Sequence, residues 1–150
     1  AQHCSKAYLQ KLGELGKSLN VKVFVENVGF HESALFSAEE FVRLFDEIPS
    51  IDALLDVGHA HINRWDIPEV IQQLGGRLAA VHLHDNYGKY DDHLPIGEGT
   101  IEWADIWKVL GETSHDIEFI LEYQIGTPLE TLLEHARKLQ EEHLKTRLIT

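Results

Sequence analysis

Short apolar runs alternate four times along the chain with stretches whose apolar residues recur every three or four positions. Residues 4–19 have the helical period, with Ala7, Tyr8, Leu12, Leu15 and Leu19 on one side. The run 21–27, VKVFVEN, reads as a strand; its β-branched content and lack of polar alternation predict a parallel sheet covered on both faces. Ser37 and Glu40 have the spacing of a capping box and open a helix carrying Phe41, Leu44, Phe45 and Ile48, which Pro49 and Ser50 stop. A second strand, 51–58, precedes a helix from Asp66 to Leu74 that Gly75 and Gly76 end. The third strand, 78–85, leads into a long loop, 86–100, with Gly88, Pro95, Gly97 and Gly99. A helix over 102–112 sets Trp103, Ile106, Trp107 and Leu110 at helical spacing, so both tryptophans are expected to pack. The fourth strand is 117–123, and a last helix, with Pro128 at its first position, runs from Thr127 to Leu144.

Strands alternating with helices mean βαβ units and a parallel sheet. An open doubly wound sheet would carry a glycine-rich phosphate turn after its first strand, and FVENVGFHES is not one. The alternative is the (β/α)8 TIM barrel, of which four units are half; a whole barrel takes roughly 250 residues. The expectation is a single α/β domain over 1–150, a half barrel with an N-terminal half missing. The chain starts inside a helical pattern and has no methionine, which fits a fragment. Open edges of a half barrel invite pairing with the missing half or with another copy.

Composition narrows the function. No apolar run is long enough to span a membrane, and a lone Cys4, read as an incidental thiol, leaves no internal disulfide and suits a reducing, cytoplasmic setting. A net charge of −12 without a Lys/Arg cluster disfavours a phosphate backbone as partner. Ten histidines, several beside Asp or Glu, point to metal instead.

Each expected strand ends on a metal-ligand type: Glu26, Asp56, His82 and Glu122. Active sites of barrels form at the C-terminal strand ends, and charges there cost desolvation unless they are paired or hold a cation. Period-2 alternation puts Glu26 on the face of Phe24, Asp56 on that of Leu54, His82 on that of Ala80 and His84, and Glu122 on that of Ile120. Three carboxylates and an imidazole suit Mn, Mg, Co or Zn. Asp56 and His59 form D-x-x-H, and Asp91 and His93 form D-x-H, in the loops that follow.

FVEN, LLDVGHAH, VHLHDN, DDHLPIGEG and ILEY, in this order, resemble the xylose isomerase-like TIM barrels, a superfamily of sugar isomerases and epimerases, inosose dehydratase-like proteins and endonuclease IV enzymes (apurinic/apyrimidinic endonuclease family 2). The resemblance runs from Val21 to the end and corresponds to the C-terminal half. In the isomerase and epimerase branch it implies that Glu26, Asp56, His82 and Glu122 bind the shared metal and that His59 contacts substrate. In the endonuclease branch it implies a further metal on His59, Asp91 and His93.

Two activities follow as expectations. The first is isomerisation or epimerisation of a sugar, sugar phosphate or polyol in carbohydrate metabolism. There a divalent metal stabilises an enediolate while Glu26 and Glu122 exchange the proton as base and acid. The second is a metal-dependent phosphodiesterase at abasic DNA sites, favoured by His59, Asp91 and His93 and disfavoured by the charge of −12. A bland reading is a non-catalytic barrel fragment. His84 is expected at the substrate or behind the metal ligands, and Arg64, the one cation near the mouth, at a substrate phosphate. Trp65 is read as core, His61, His31 and Glu32 as loop residues near the mouth, and the EEH at 141–143 as a solvated face.

Overall fold

In a computed structural model, residues 2–144 are described, with side chains for 6–141. Cys4, Glu142 and His143 therefore lie outside the described side chains. The order is α1 (Gln2–Leu19), β1 (Phe24–Glu26), a 3-10 turn (His31–Ser33), α2 (Ala38–Glu47), β2 (Asp52–Asp56), α3 (Val57–Ile62), α4 (Ile67–Leu74), β3 (Leu78–Leu83), α5 (Trp103–Gly111), β4 (Glu118–Leu121) and α6 (Leu129–Lys138), which continues as a π-type turn over Leu139–Leu144. The four strands lie in chain order in one parallel sheet.

The core lies between the outer face of this sheet and the helices. Ala53, Leu55, Val81 and Leu83 face outward onto Phe41, Leu44 and Phe45 of α2, Val70, Ile71 and Leu74 of α4, and Ile106 and Leu110 of α5. Each of those helices carries its apolar residues at three- and four-residue spacing, so one stripe meets the sheet. Ser37 caps α2 as the sequence predicts: its hydroxyl accepts from Glu40 N (3.2 Å) and Glu40 Oε2 accepts from Ser37 N (2.9 Å). Gly75, with φ of 49°, ends α4 in a left-handed turn.

Three expectations need correction. The expected apolar side of α1 is exposed at Tyr8, Leu12, Leu15 and Leu19. The helix instead docks through Gly13 and Gly16, where a Cβ would sit 2.2 Å from Ser50 Oγ and 2.7 Å from Val21 O. Strand β1 is only half-buried rather than covered on both faces, because it is an edge. Pro128 caps α6 instead of occupying its first turn.

Candidate metal centre

Register fixes which strand-end side chains meet. Asp56 pairs with His82, and Glu26 pairs with Leu54, two residues before Asp56 on the same face. His82 pairs with Ile120, two residues before Glu122. Alternation therefore turns Glu26, Asp56, His82 and Glu122 to the inner face of the sheet. Their side chains converge on one nitrogen. His82 Nδ1 lies 3.5 Å from Glu26 Oε1, 3.6 Å from Asp56 Oδ2 and 2.9 Å from Glu122 Oε2. Ligand atoms of Glu26, Asp56 and His82 all fall within 4.8 Å of one another, and Glu122 joins them through His82.

Asp56 is fully buried and does two jobs. Its Oδ1 caps α3 by accepting from His59 N at 2.6 Å, and that short helix presents His59 to the mouth. Asn27, buried at the end of β1, holds the Asp56 backbone from both sides: Asp56 N donates to Asn27 Oδ1 (2.7 Å) and Asn27 Nδ2 donates to Asp56 O (3.0 Å). The sequence reading missed α3, although D-x-x-H carries the three-residue spacing of an N-cap to N3.

Asp91 gathers the second group. Its Oδ2 lies 3.2 Å from His59 Nε2 and 3.0 Å from His93 Nε2. The chain around His93 is wedged between strand ends, since Leu94 exchanges both backbone bonds with Asp85 and Gln124 N donates to His93 O. His93 Nδ1 lies 2.8 Å from the Glu122 carbonyl, a bond in which Nδ1–H donates; in the neutral ring this leaves the Nε2 lone pair, 3.0 Å from Asp91 Oδ2, free for a cation. The loop from Asn86 onward is tied by Asp85, a fully buried carboxylate. It accepts from Asn86 N and Ile101 N on Oδ1, and from Gly97 N and Trp103 Nε1 on Oδ2.

Charge agrees with a cation site. The Asp56 and Glu26 carboxylates, with Glu122, push His82 up to about 10 against the opposing effect of burial. Burial works to lower His59, but Asp91, Asp56 and Glu26 outweigh it and push His59 up to about 9. Burial would raise Asp56, yet His82 and His84 hold it well below the usual carboxylate range. Protons thus balance the carboxylates here. Buried His59 Nδ1, His82 Nδ1 and Asp91 Oδ1 have no hydrogen-bond partner. Buried polar atoms are normally satisfied, so the unpartnered His59 and His82 nitrogens, each 3.5 Å from Glu26 Oε1, fit a divalent cation.

Other expected site residues fall elsewhere. His84 has no exposed surface, so the expected substrate contact is corrected: it lies beneath Asp56 and His93. Among the described residues no contact joins Arg64 to the cluster; it sits exposed on a left-handed turn, φ 58°. His61 bonds Thr100 Oγ1 (3.2 Å) across to the long loop. His31 is exposed, and its N–H donates to Asn63 Oδ1. Trp65 packs on Phe41, and Trp103 stacks on Trp107. Phe30, absent from the sequence reading, lies 6.3 Å from His59 in the first loop.

The family profile described as "Xylose isomerase-like TIM barrel" matches residues 4–143. The chain belongs to this family. It is 30% identical over 113 residues to the uncharacterized protein MJ1311 of Methanocaldococcus jannaschii, covering 72% of this chain and 39% of that one. It is 24% identical over 145 residues to a D-psicose 3-epimerase of Enterocloster bolteae, covering 91% of this chain and 46% of that enzyme. The chain thus spans less than half the length of these curated relatives. Among solved structures, a D-tagatose 3-epimerase-like protein superposes with a TM-score of 0.79 at 22% identity, over 97% of this chain and 55% of that one. The IOLI protein with a binding zinc atom gives 0.76 at 19% identity, over 99% and 58%. These likenesses establish the fold, a xylose isomerase-like TIM barrel to which this chain contributes a four-strand parallel sheet. Among the described residues no helix is long and apolar enough to cross a membrane.

Proposed function

We propose that the chain carries the metal-binding and proton-transfer residues of a divalent-metal-dependent sugar or polyol epimerase or isomerase. The carrying observation is His82 Nδ1 lying within 3.6 Å of carboxylate oxygens from three other strand ends. Glu26, Asp56, His82 and Glu122 would hold the ion. When bound, it polarises neighbouring oxygens of a keto sugar and so acidifies the adjacent C–H. Glu26 and Glu122 stand on opposite flanks of His82, on β1 and just after β4, and are the residues to remove and return a proton on the two faces of that carbon. The full burial of Asp56 and its bond from His59 N support ligation rather than proton transfer as its role. Phe30 and His59 form one wall of the mouth. The D-psicose 3-epimerase relative supports a ketose as substrate.

His59, Asp91 and His93 would hold a second ion. That convergence favours a second reading, a phosphodiesterase of the endonuclease IV type, against which stands the net charge of −12. Both readings take the open edges at β1 and β4 to be covered by further barrel strands, from an N-terminal half of the same protein.

Two assays separate the readings: deuterium incorporation from solvent into ketohexoses, followed by NMR, and cleavage of an abasic duplex. Epimerisation requires metal-dependent deuterium uptake that Glu26→Gln and Glu122→Gln abolish. Cleavage of the abasic duplex with no deuterium uptake would transfer the site to phosphodiester chemistry.

A further inference from the structure

We propose that His84 is a positioning residue that sets both ion positions at once, through its ring nitrogen on one side and its ring face on the other. The proposal rests on the metal-dependent reading above and on the second ion position that His59, Asp91 and His93 form. His84 is fully buried, so it touches no substrate. Its Nε2 lies 3.1 Å from both Asp56 oxygens, a donor placed on the bisector of the carboxylate. Oδ1 of Asp56 also takes the His59 N–H. The oxygen left with spare capacity is therefore Oδ2, the one facing His82 Nδ1. A neutral backbone donor and one imidazole thus fix which Asp56 oxygen an ion meets.

On its other side the His84 ring stacks on His93, with centroids 4.0 Å apart and planes inclined by 16°. His93 is the residue that, with His59, surrounds Asp91 Oδ2. The stack holds its ring upright while Nδ1 is tied to the Glu122 carbonyl. His84 has room only because residue 58 is glycine: a Cβ there would lie 2.0 Å from His84 Cε1.

By distance alone, His84, His93 and Glu122 could also share an ion. The stacking argues against it. Imidazole lone pairs lie in the ring plane, and two nearly parallel planes 4.0 Å apart do not meet at one cation. His84 supports its neighbours instead of ligating. Partners behind the ligands typically change metal affinity about 10–100-fold when lost.

Two substitutions split its roles. His84→Gln keeps a donor for Asp56 and removes the ring, whereas His84→Phe keeps a ring face for His93 and removes the donor. The probe is Co2+ titrated into the metal-stripped full chain, with affinity at each position assigned by anomalous scattering at the cobalt edge. For His84→Phe we expect about 10–100-fold weaker Co2+ at Glu26/Asp56/His82/Glu122 and a distinctly smaller loss at His59/Asp91/His93, where Nε2 only faces Asp91 Oδ1 at 3.8 Å. For His84→Gln we expect the reverse pattern. Each variant carries its own expectation, so either one, folded by near-UV circular dichroism, decides the matter. If the unsubstituted protein binds Co2+ at both positions and the variants change neither, or both equally, positioning by His84 is refuted while the metal reading stands. If the unsubstituted protein binds Co2+ at neither position, both fall, and binding at one position alone overturns the link between the two.

Discussion

Metal loading should release protons, and the structure says from where. Without metal, His82 titrates at about 10 because Asp56, Glu26 and Glu122 surround it. At pH 7.5 it is therefore protonated, while Asp56 is already ionised because His82 and His84 hold it low. An ion that takes His82 as a ligand must displace that proton. The competition costs about 3 kcal/mol at pH 7.5, from about 2.5 pH units, or on the order of a hundredfold or more in apparent affinity. Affinity should rise about tenfold per pH unit from neutrality toward pH 10, because a ligand histidine binds metal only in its neutral form. Titration calorimetry with Zn2+ in buffers of different ionisation enthalpy measures this directly. The slope of observed enthalpy on buffer enthalpy should give about one proton released for the first ion, and a further one from His59, held at about 9, as the second position fills. A buffer-independent enthalpy together with a flat affinity between pH 7 and 9 would remove His82 from the ligand set.

Thermal melts in chelator should show the linked effect on stability. The folded values of His82 and His59 stand above the ordinary histidine value, so their contribution is full below about pH 6.5 and is lost as pH rises through about 9 and about 10; the metal-free midpoint should fall over that window and the metal-loaded one should not. Asn27→Ala should destabilise by about 2–4 kcal/mol in urea titrations, because it leaves the buried N–H and C=O of Asp56 without partners. Gly58→Ala, which would ordinarily gain about 1 kcal/mol inside a helix, should instead lower the melting temperature and weaken metal binding, since its methyl group meets His84; an unchanged or raised midpoint would contradict that packing. Asp85→Asn should speed amide exchange over 86–101 by disturbing four bonds while leaving exchange in β2 unchanged, as read by mass spectrometry.

How much of this was legible in the sequence depended on whether side chains or backbone did the work. The four strands, the Ser37 cap and the helices α2, α4 and α5 follow from periodicity, because apolar side chains there face the sheet. Strand-end chemistry was legible too: alternation alone puts Glu26, Asp56, His82 and Glu122 on one face, and register brings them together. Helix α1 failed because its contact is made by the absence of side chains at Gly13 and Gly16, which leaves no apolar signature. The burial of His84 was equally hidden, since it depends on Gly58 and on His93 being folded back from a loop. For Arg64, nearness in sequence to His59 brings no contact with the cluster, since it follows α3 at a left-handed residue.

Asp85 has one more consequence. Its carboxylate fastens the far stem of the loop at Gly97, Ile101 and Trp103, and its own backbone clasps Leu94. The tip between, with Tyr87 and Tyr90 exposed and Lys89 resting over Tyr90, projects beyond that knot and the bonds that Asn86, Asp91 and His93 make to Gly58, His59 and Glu122. Tyr87, Lys89 and Tyr90 can therefore be exchanged with little disturbance to Asp91 and His93, whereas Gly88, with φ of 73° beside His61, cannot. That exposed fringe can vary in sequence while the carboxylate–histidine cluster beneath keeps its shape.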